Sequence, residues 1–160
     1  MSKFMGVREI IKAYRDDDYL PQINTVPHIV DDDILCVSSP DRVKDFANYI
    51  FDADDSVEEY CWALFTDANN KIIFFTELSH GVLNYAFVDM KILFLKAILC
   101  GCSGIVLVHN HPSGDPSPSH DDDNLTENAK KCCGLLGYEF LDHVIVSNTA
   151  YYSYKEAGRI

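Results

Sequence analysis

The stretch from His109 to Asp122 reads His-Asn-His-Pro-Ser-Gly-Asp-Pro-Ser-Pro-Ser-His-Asp-Asp. It puts two imidazoles two positions apart, then a stiff polar loop, then a serine and carboxylates. Two histidines and one carboxylate form a common catalytic zinc set, with a fourth position left for water. The run Gly104-Ile105-Val106-Leu107-Val108 before it is apolar and β-branched, so it reads as a buried strand. Side chains two apart on a strand share a face. His109 and His111 can therefore reach one ion from the strand end while Asn110 faces away. Pro112, Gly114, Pro116 and Pro118 exclude regular structure and stiffen the turn. Ser119 then reads as a helix N-cap with Asp122 three residues on, which brings Asp122 back as an oxygen ligand. An ordinary capping box accounts for Ser119 and Asp122 equally well at this point. His120 competes with Asp122 as third ligand on chemistry alone.

These residues need a scaffold, and the pattern along the chain supplies one. Ser39 and Pro40 open a helix over residues 41–53. Tyr60 to Thr66 reads as a buried strand, Asp67-Ala68-Asn69-Asn70 as a hairpin turn, and Lys71 to Thr76 as its partner. Asp89 to Leu99 reads as an apolar helix interrupted by Lys91 and Lys96 and ended by Gly101. A strand over 104–109, the loop, a helix over 120–135 and strands over 139–147 and 151–154 follow. Residues 1–33 read as charged and irregular, with a short amphipathic helix from Val7 to Tyr14. The order predicts an α/β layered fold with a mixed β-sheet flanked by helices. It divides into an N-terminal extension, 1–36, and one domain, 37–160.

The spacing His109-x-His111, seven residues, Ser119, two residues, Asp122 resembles the signature of the JAB/MPN (JAMM) metalloprotease family, a cytidine-deaminase-like layered fold. The longer string His-Asn-His-Pro-Ser-Gly-Asp-Pro-x-Pro-Ser is similar to its RadC branch. Leu135-Leu136-Gly137-Tyr138 with Leu141-Asp142-His143-Val144-Ile145-Val146, and Tyr151 to Gly158, resemble flanking segments of that branch. Glu77-Leu78-Ser79-His80-Gly81 sits where the branch has a glycine-containing turn. The stretch Val88-Asp89-Met90-Lys91 departs from it, standing where a more basic segment is usual.

The resemblance implies a hydrolase of amide or isopeptide bonds with one Zn²⁺ per chain, held by His109, His111 and Asp122. It also implies a glutamate base before the neighbouring strand. Glu59-Tyr60-Cys61-Trp62-Ala63-Leu64-Phe65-Thr66-Asp67 fits that position. Glu58 is the alternative, but it points to the opposite face of an extended segment. Ser119 is implied as a donor to the tetrahedral oxyanion, a role worth on the order of 3 kcal/mol. The implied substrate is a peptide or protein. A metal-stabilised interaction module without turnover is the second reading, and a DNA-repair accessory the third.

Charge bears on the third. The chain has 13 Lys and Arg against 25 Asp and Glu, a net charge of −12. Gripping phosphate backbones requires clustered basic residues, and the adjacent pair Lys130-Lys131 does not make such a surface. Residues before 37 are too few for the helix-hairpin-helix region of full-length RadC proteins. No apolar run reaches membrane-spanning length, and Met1-Ser2-Lys3-Phe4 does not open a signal pattern. The six cysteines lack a Cys-x-x-Cys pair and mostly lie in apolar patterns, so reduced thiols and a cytoplasmic location are expected.

Overall fold

The computed structural model describes residues 4–81 and 88–160. A seven-stranded mixed sheet runs through it, in the spatial order β2-β1-β4-β3-β5-β6-β7. The strands are β1 (Phe4–Arg15), β2 (Pro21–Asp31), β3 (Tyr60–Thr66), β4 (Ile72–His80), β5 (Gly104–Asn110), β6 (Glu139–Val146) and β7 (Tyr151–Ser153). The helices are α1 (Pro40–Phe51), α2 (Met90–Cys100) and α3 (His120–Leu136). Among the described residues no helix is long and apolar enough to cross a membrane.

The sheet has an apolar layer on each face. Val43, Phe46 and Ala47 of α1 pack with Trp62, Leu64, Val106 and Val108 on one side. Leu93, Phe94 and Ala97 of α2, with Ala129 and Cys133 of α3, pack with Ala63, Phe65, Ile105 and Leu107 on the other. Strands β3 and β5 therefore bury both sets of alternating side chains, which is why they read as unbroken apolar runs. Gly104 begins β5 because nothing larger fits. A Cβ there would lie 2.6 Å from Thr66 Oγ1 and 2.8 Å from Leu141 Cδ1.

The expected elements from α1 to β7 form within a few residues of their anticipated limits. Strand β4 runs further than expected, through His80, and pairs that residue with Tyr60. Helix α1 starts at Pro40 and ends at Asp52 in the left-handed conformation. Helix α2 is N-capped by the Asp89 carboxylate and stopped by Gly101 at φ +66°. Its Lys96 does not interrupt it: the side chain is buried and donates to Thr76 Oγ1 at 2.7 Å.

Residues 4–31 overturn the expectation of an irregular leader with a helix from Val7 to Tyr14. They form the β1–β2 antiparallel hairpin, and β1 joins the sheet parallel to β4. Val7 and Ile10, three apart, mimic a helical stripe. In the strand they face opposite sides, Val7 into the α1 layer and Ile10 into the α2 layer. A register shift between Ile10 and Lys12 blurs the alternation further.

Candidate metal centre

Three elements meet at one end of the sheet. Strand β5 ends at Asn110 and delivers His109 and His111. Helix α3 begins beside it, and the start of β3, antiparallel to β5, brings Glu59 across. Ser119 caps α3 through a reciprocal capping box. Its Oγ accepts from Asp122 N, while Asp122 Oδ2 accepts from Ser119 N at 2.7 Å. The box fixes Asp122 on the inward side of the first helical turn, where it is buried. Among the described residues, His109, His111 and Asp122 form the group whose ligand atoms converge, within 4.8 Å of one another.

The protons around this group are arranged for donation of lone pairs to a cation. His111 Nδ1 lies 2.8 Å from the Asp115 carbonyl, which can only accept, so Nδ1 carries the proton and Nε2 is left basic. That Nε2 faces Asp122 Oδ2 at 3.5 Å. His109 Nε2 lies 2.7 Å from Glu59 Oε1. Its Nδ1 is buried 2.8 Å from Asp122 Oδ1 yet lacks hydrogen-bond geometry. An orphaned buried nitrogen against a carboxylate oxygen is costly as it stands, and a shared cation would satisfy both. Two imidazole nitrogens and one carboxylate suit a borderline-soft divalent ion. The residues present fit such a group.

Without an ion the cluster holds together by charge. Burial lowers the His109 pKa, but the facing Asp122 and Glu59 carboxylates more than offset it and lift the value to about 9. Burial also works against the Asp122 carboxylate. His109 and His111 outweigh it and hold the group well below the usual range. Glu59 is lowered chiefly by its hydrogen bond to His109.

Of the expected site residues, the structure brings Glu59 to His109 and Ser119 to Asp122. Ser119 Oγ donates to Asp122 Oδ2 at 2.6 Å, so its proton is committed to the carboxylate. Glu58 points elsewhere and bonds Tyr60 Oη and His80 Nε2. His120 is exposed on α3, beside a cleft with Asp123 and Arg159, away from the cluster. Asp115 contributes its backbone, and its carboxylate accepts from Ser117 N.

Two neighbours complete the surroundings of the group: His143, which reads in the sequence as a satisfied strand histidine, and Asn110, which reads as facing away from the histidines. His143 on β6 is fully buried, with its ring 6.3 Å from and nearly parallel to that of His109. Burial drives its pKa down to about 3, so it stays neutral, with Nδ1 paired to Thr126 Oγ1. Asn110 turns to the opposite face and grips the β3 backbone on either side of Glu59. A polar residue between two histidines on a buried strand was the signal for it.

Comparison with known proteins returns the RadC-like JAB domain over residues 37–159. A protein of Aquifex aeolicus named only as a UPF0758 protein is 40% identical over 124 residues, 78% of this chain and 52% of its own length. Its counterpart from Pelobacter propionicus is 36% identical over 121 residues, 76% of this chain and 52% of its own. One from Clostridium perfringens is 41% identical over 90 residues, covering 56% and 40%. The chain spans about half the length of the first two.

Proposed function

The chain belongs to the RadC-like JAB domain family, and from that premise we propose that it is a zinc-dependent hydrolase of amide or isopeptide bonds in peptide or protein substrates. The observation that carries the reading is the convergence of His109, His111 and Asp122, with the Glu59 carboxylate 2.7 Å from His109. A divalent cation, when bound, acidifies a water molecule and polarises a carbonyl. The chain's own residues do the rest. Asp115 holds His111 in the tautomer that leaves Nε2 basic. Asp122 is pinned by the cap of α3. Glu59, kept ionised by His109, takes a proton from the attacking water and hands it to the departing nitrogen. Ser119 turns its hydroxyl from Asp122 to the oxyanion as charge develops there. The burial of β5 and β6 beneath the histidines keeps the floor of the site dry.

Net charge supports a protein rather than a nucleic-acid substrate, and six free thiols support a reducing compartment such as the cytoplasm. A second reading, a metal-stabilised interaction module, is favoured by one observation: Glu59 and Ser119 both spend their side chains on ligand residues. The deciding experiment is a peptide-library cleavage screen on protein loaded with one zinc, with the His109→Ala variant as control. Cleavage that requires His109 supports the hydrolase. Full zinc loading with no cleavage of any library peptide favours the module.

A further inference from the structure

Cys100-Gly101-Cys102 closes α2 at the end of β5 remote from the histidines, and the proposed hydrolase makes no use of it. Cys100 is the last helical residue and Gly101 takes the left-handed conformation, φ +66°. That turn folds the chain back, and both thiols reach one acceptor. Cys100 Sγ lies 3.4 Å and Cys102 Sγ 3.6 Å from the Ala97 carbonyl oxygen. Residues two apart span at most about 7 Å between Cα atoms when fully extended, and a folded-back pair falls within the roughly 4.4–6.8 Å that a disulfide tolerates. A left-handed glycine between them supplies backbone freedom that another residue would lack.

Cys132 and Cys133 lie near, in the same apolar layer as Cys102. The sulfurs do not gather as a metal site would: among the described residues, the histidine–aspartate group is the convergent one. The chemistry left to the pair is thiol–disulfide chemistry. We propose that Cys100 and Cys102 form a reversible oxidation site, closing to an intrachain disulfide in the presence of a peroxide.

The two sulfurs differ in the way the two steps require. Cys100 is half-buried and Cys102 buried. The neighbouring Cys102 side chain pushes the Cys100 thiol down. Cys100, and then burial, pushes Cys102 up. The carbonyl end of α2 opposes a thiolate at Cys100, so proximity to Cys102 is what favours it. In the first step the Cys100 thiolate attacks one peroxide oxygen and the O–O bond breaks. Hydroxide leaves and is protonated to water, and Cys100 becomes a sulfenic acid. In the second, the Cys102 sulfur attacks the Cys100 sulfur, the S–O bond breaks, and the hydroxyl leaves as water with the Cys102 proton. Two thiols and one hydrogen peroxide give one disulfide and two waters.

The test uses the full chain and hydrogen peroxide as the probe. Treated protein is alkylated under denaturing conditions, digested with trypsin without reduction, and weighed. Cleavage after Lys96 and Lys130 leaves Cys100 and Cys102 on one peptide, separate from Cys132 and Cys133. The expected result is the loss of two hydrogens from that peptide, with neither thiol alkylated, and full reversal by dithiothreitol. Cys102→Ser should instead leave a Cys100 sulfenic acid that dimedone traps, and Cys100→Ser should leave Cys102 unoxidised. A bridge from Cys102 to Cys133, oxygen added to Cys100 without a bridge, or two thiols unchanged by peroxide would each overturn the proposal.

Discussion

Asn110 and Tyr60 are joined across 50 residues of sequence: the Asn110 side-chain oxygen accepts the Tyr60 backbone N–H at 2.7 Å. The other half of the same amide donates to the Glu58 carbonyl at 2.9 Å. Asn110 thus stands in for a strand partner to residue 59 and fixes the backbone from which Glu59 projects. Asn110→Ala strands a backbone N–H and a carbonyl, each worth about 1–3 kcal/mol when buried and unpaired. A destabilisation of about 2–4 kcal/mol by urea melts is expected, with zinc content unchanged because no ligand is lost. Asn110→Asp keeps the acceptor and should lie between Ala and the parent. A melt indistinguishable from the parent would refute the clamp.

Zinc content provides the second prediction. One zinc per chain is expected by mass spectrometry, and His109→Ala, His111→Ala and Asp122→Ala should each lose it. Chelation should lower the melting temperature of the parent, since whatever binds only the native state stabilises it. Full metal content in the His109→Ala protein would remove the assignment.

The third concerns the proton carrier. Glu59→Gln keeps the size of the side chain and cannot take a proton. It should retain zinc and lower turnover of a cleaved peptide by roughly 10²–10⁴-fold. Glu58→Gln should have little effect, because Glu58 faces Tyr60 and His80. The reverse ranking would assign the proton carrier to Glu58.

Lys96 gives a pH prediction. Burial lowers its pKa, with Glu77 opposing. A lowered lysine pKa means that the unfolded chain binds the proton more tightly. Stability is therefore lost as pH falls from the ordinary lysine value through the lowered one, and the cost is complete below it. Lys96→Met should stabilise the protein at pH 7 by about 1–4 kcal/mol, the range for replacing buried ionic groups by packed apolar ones. The gain should shrink as melts are repeated toward pH 10. A gain that does not vary with pH would locate the effect in packing instead.

The convergence of His109, His111 and Asp122 was legible in the sequence because the three lie on one local segment. A strand end, a proline-rich turn and a helix cap leave few ways to arrange them. The proton positions were not legible, since they depend on the Asp115 backbone and on Glu59 arriving from 50 residues away. The elements from α1 to β7 could be read because apolar runs and caps agree locally. The β1–β2 hairpin could not, because a strand that feeds both layers has no single polar face and carries a register shift. The partner of Asn110 is a tertiary contact, and only its turning away from the histidines could be inferred beforehand.

The hairpin also decides which strand borders solvent. β2 is outermost, and Pro21 and Pro27 along it cannot donate backbone hydrogen bonds to another strand. Had the sheet stopped at β4, its margin would be the run Ile72-Ile73-Phe74-Phe75-Thr76, rich in β-branched and aromatic residues and without proline. The hairpin thus acts as a guard against fibrillar stacking. It lets a strongly β-forming strand sit in the protein's interior without becoming a template for its neighbours in a crowded solution.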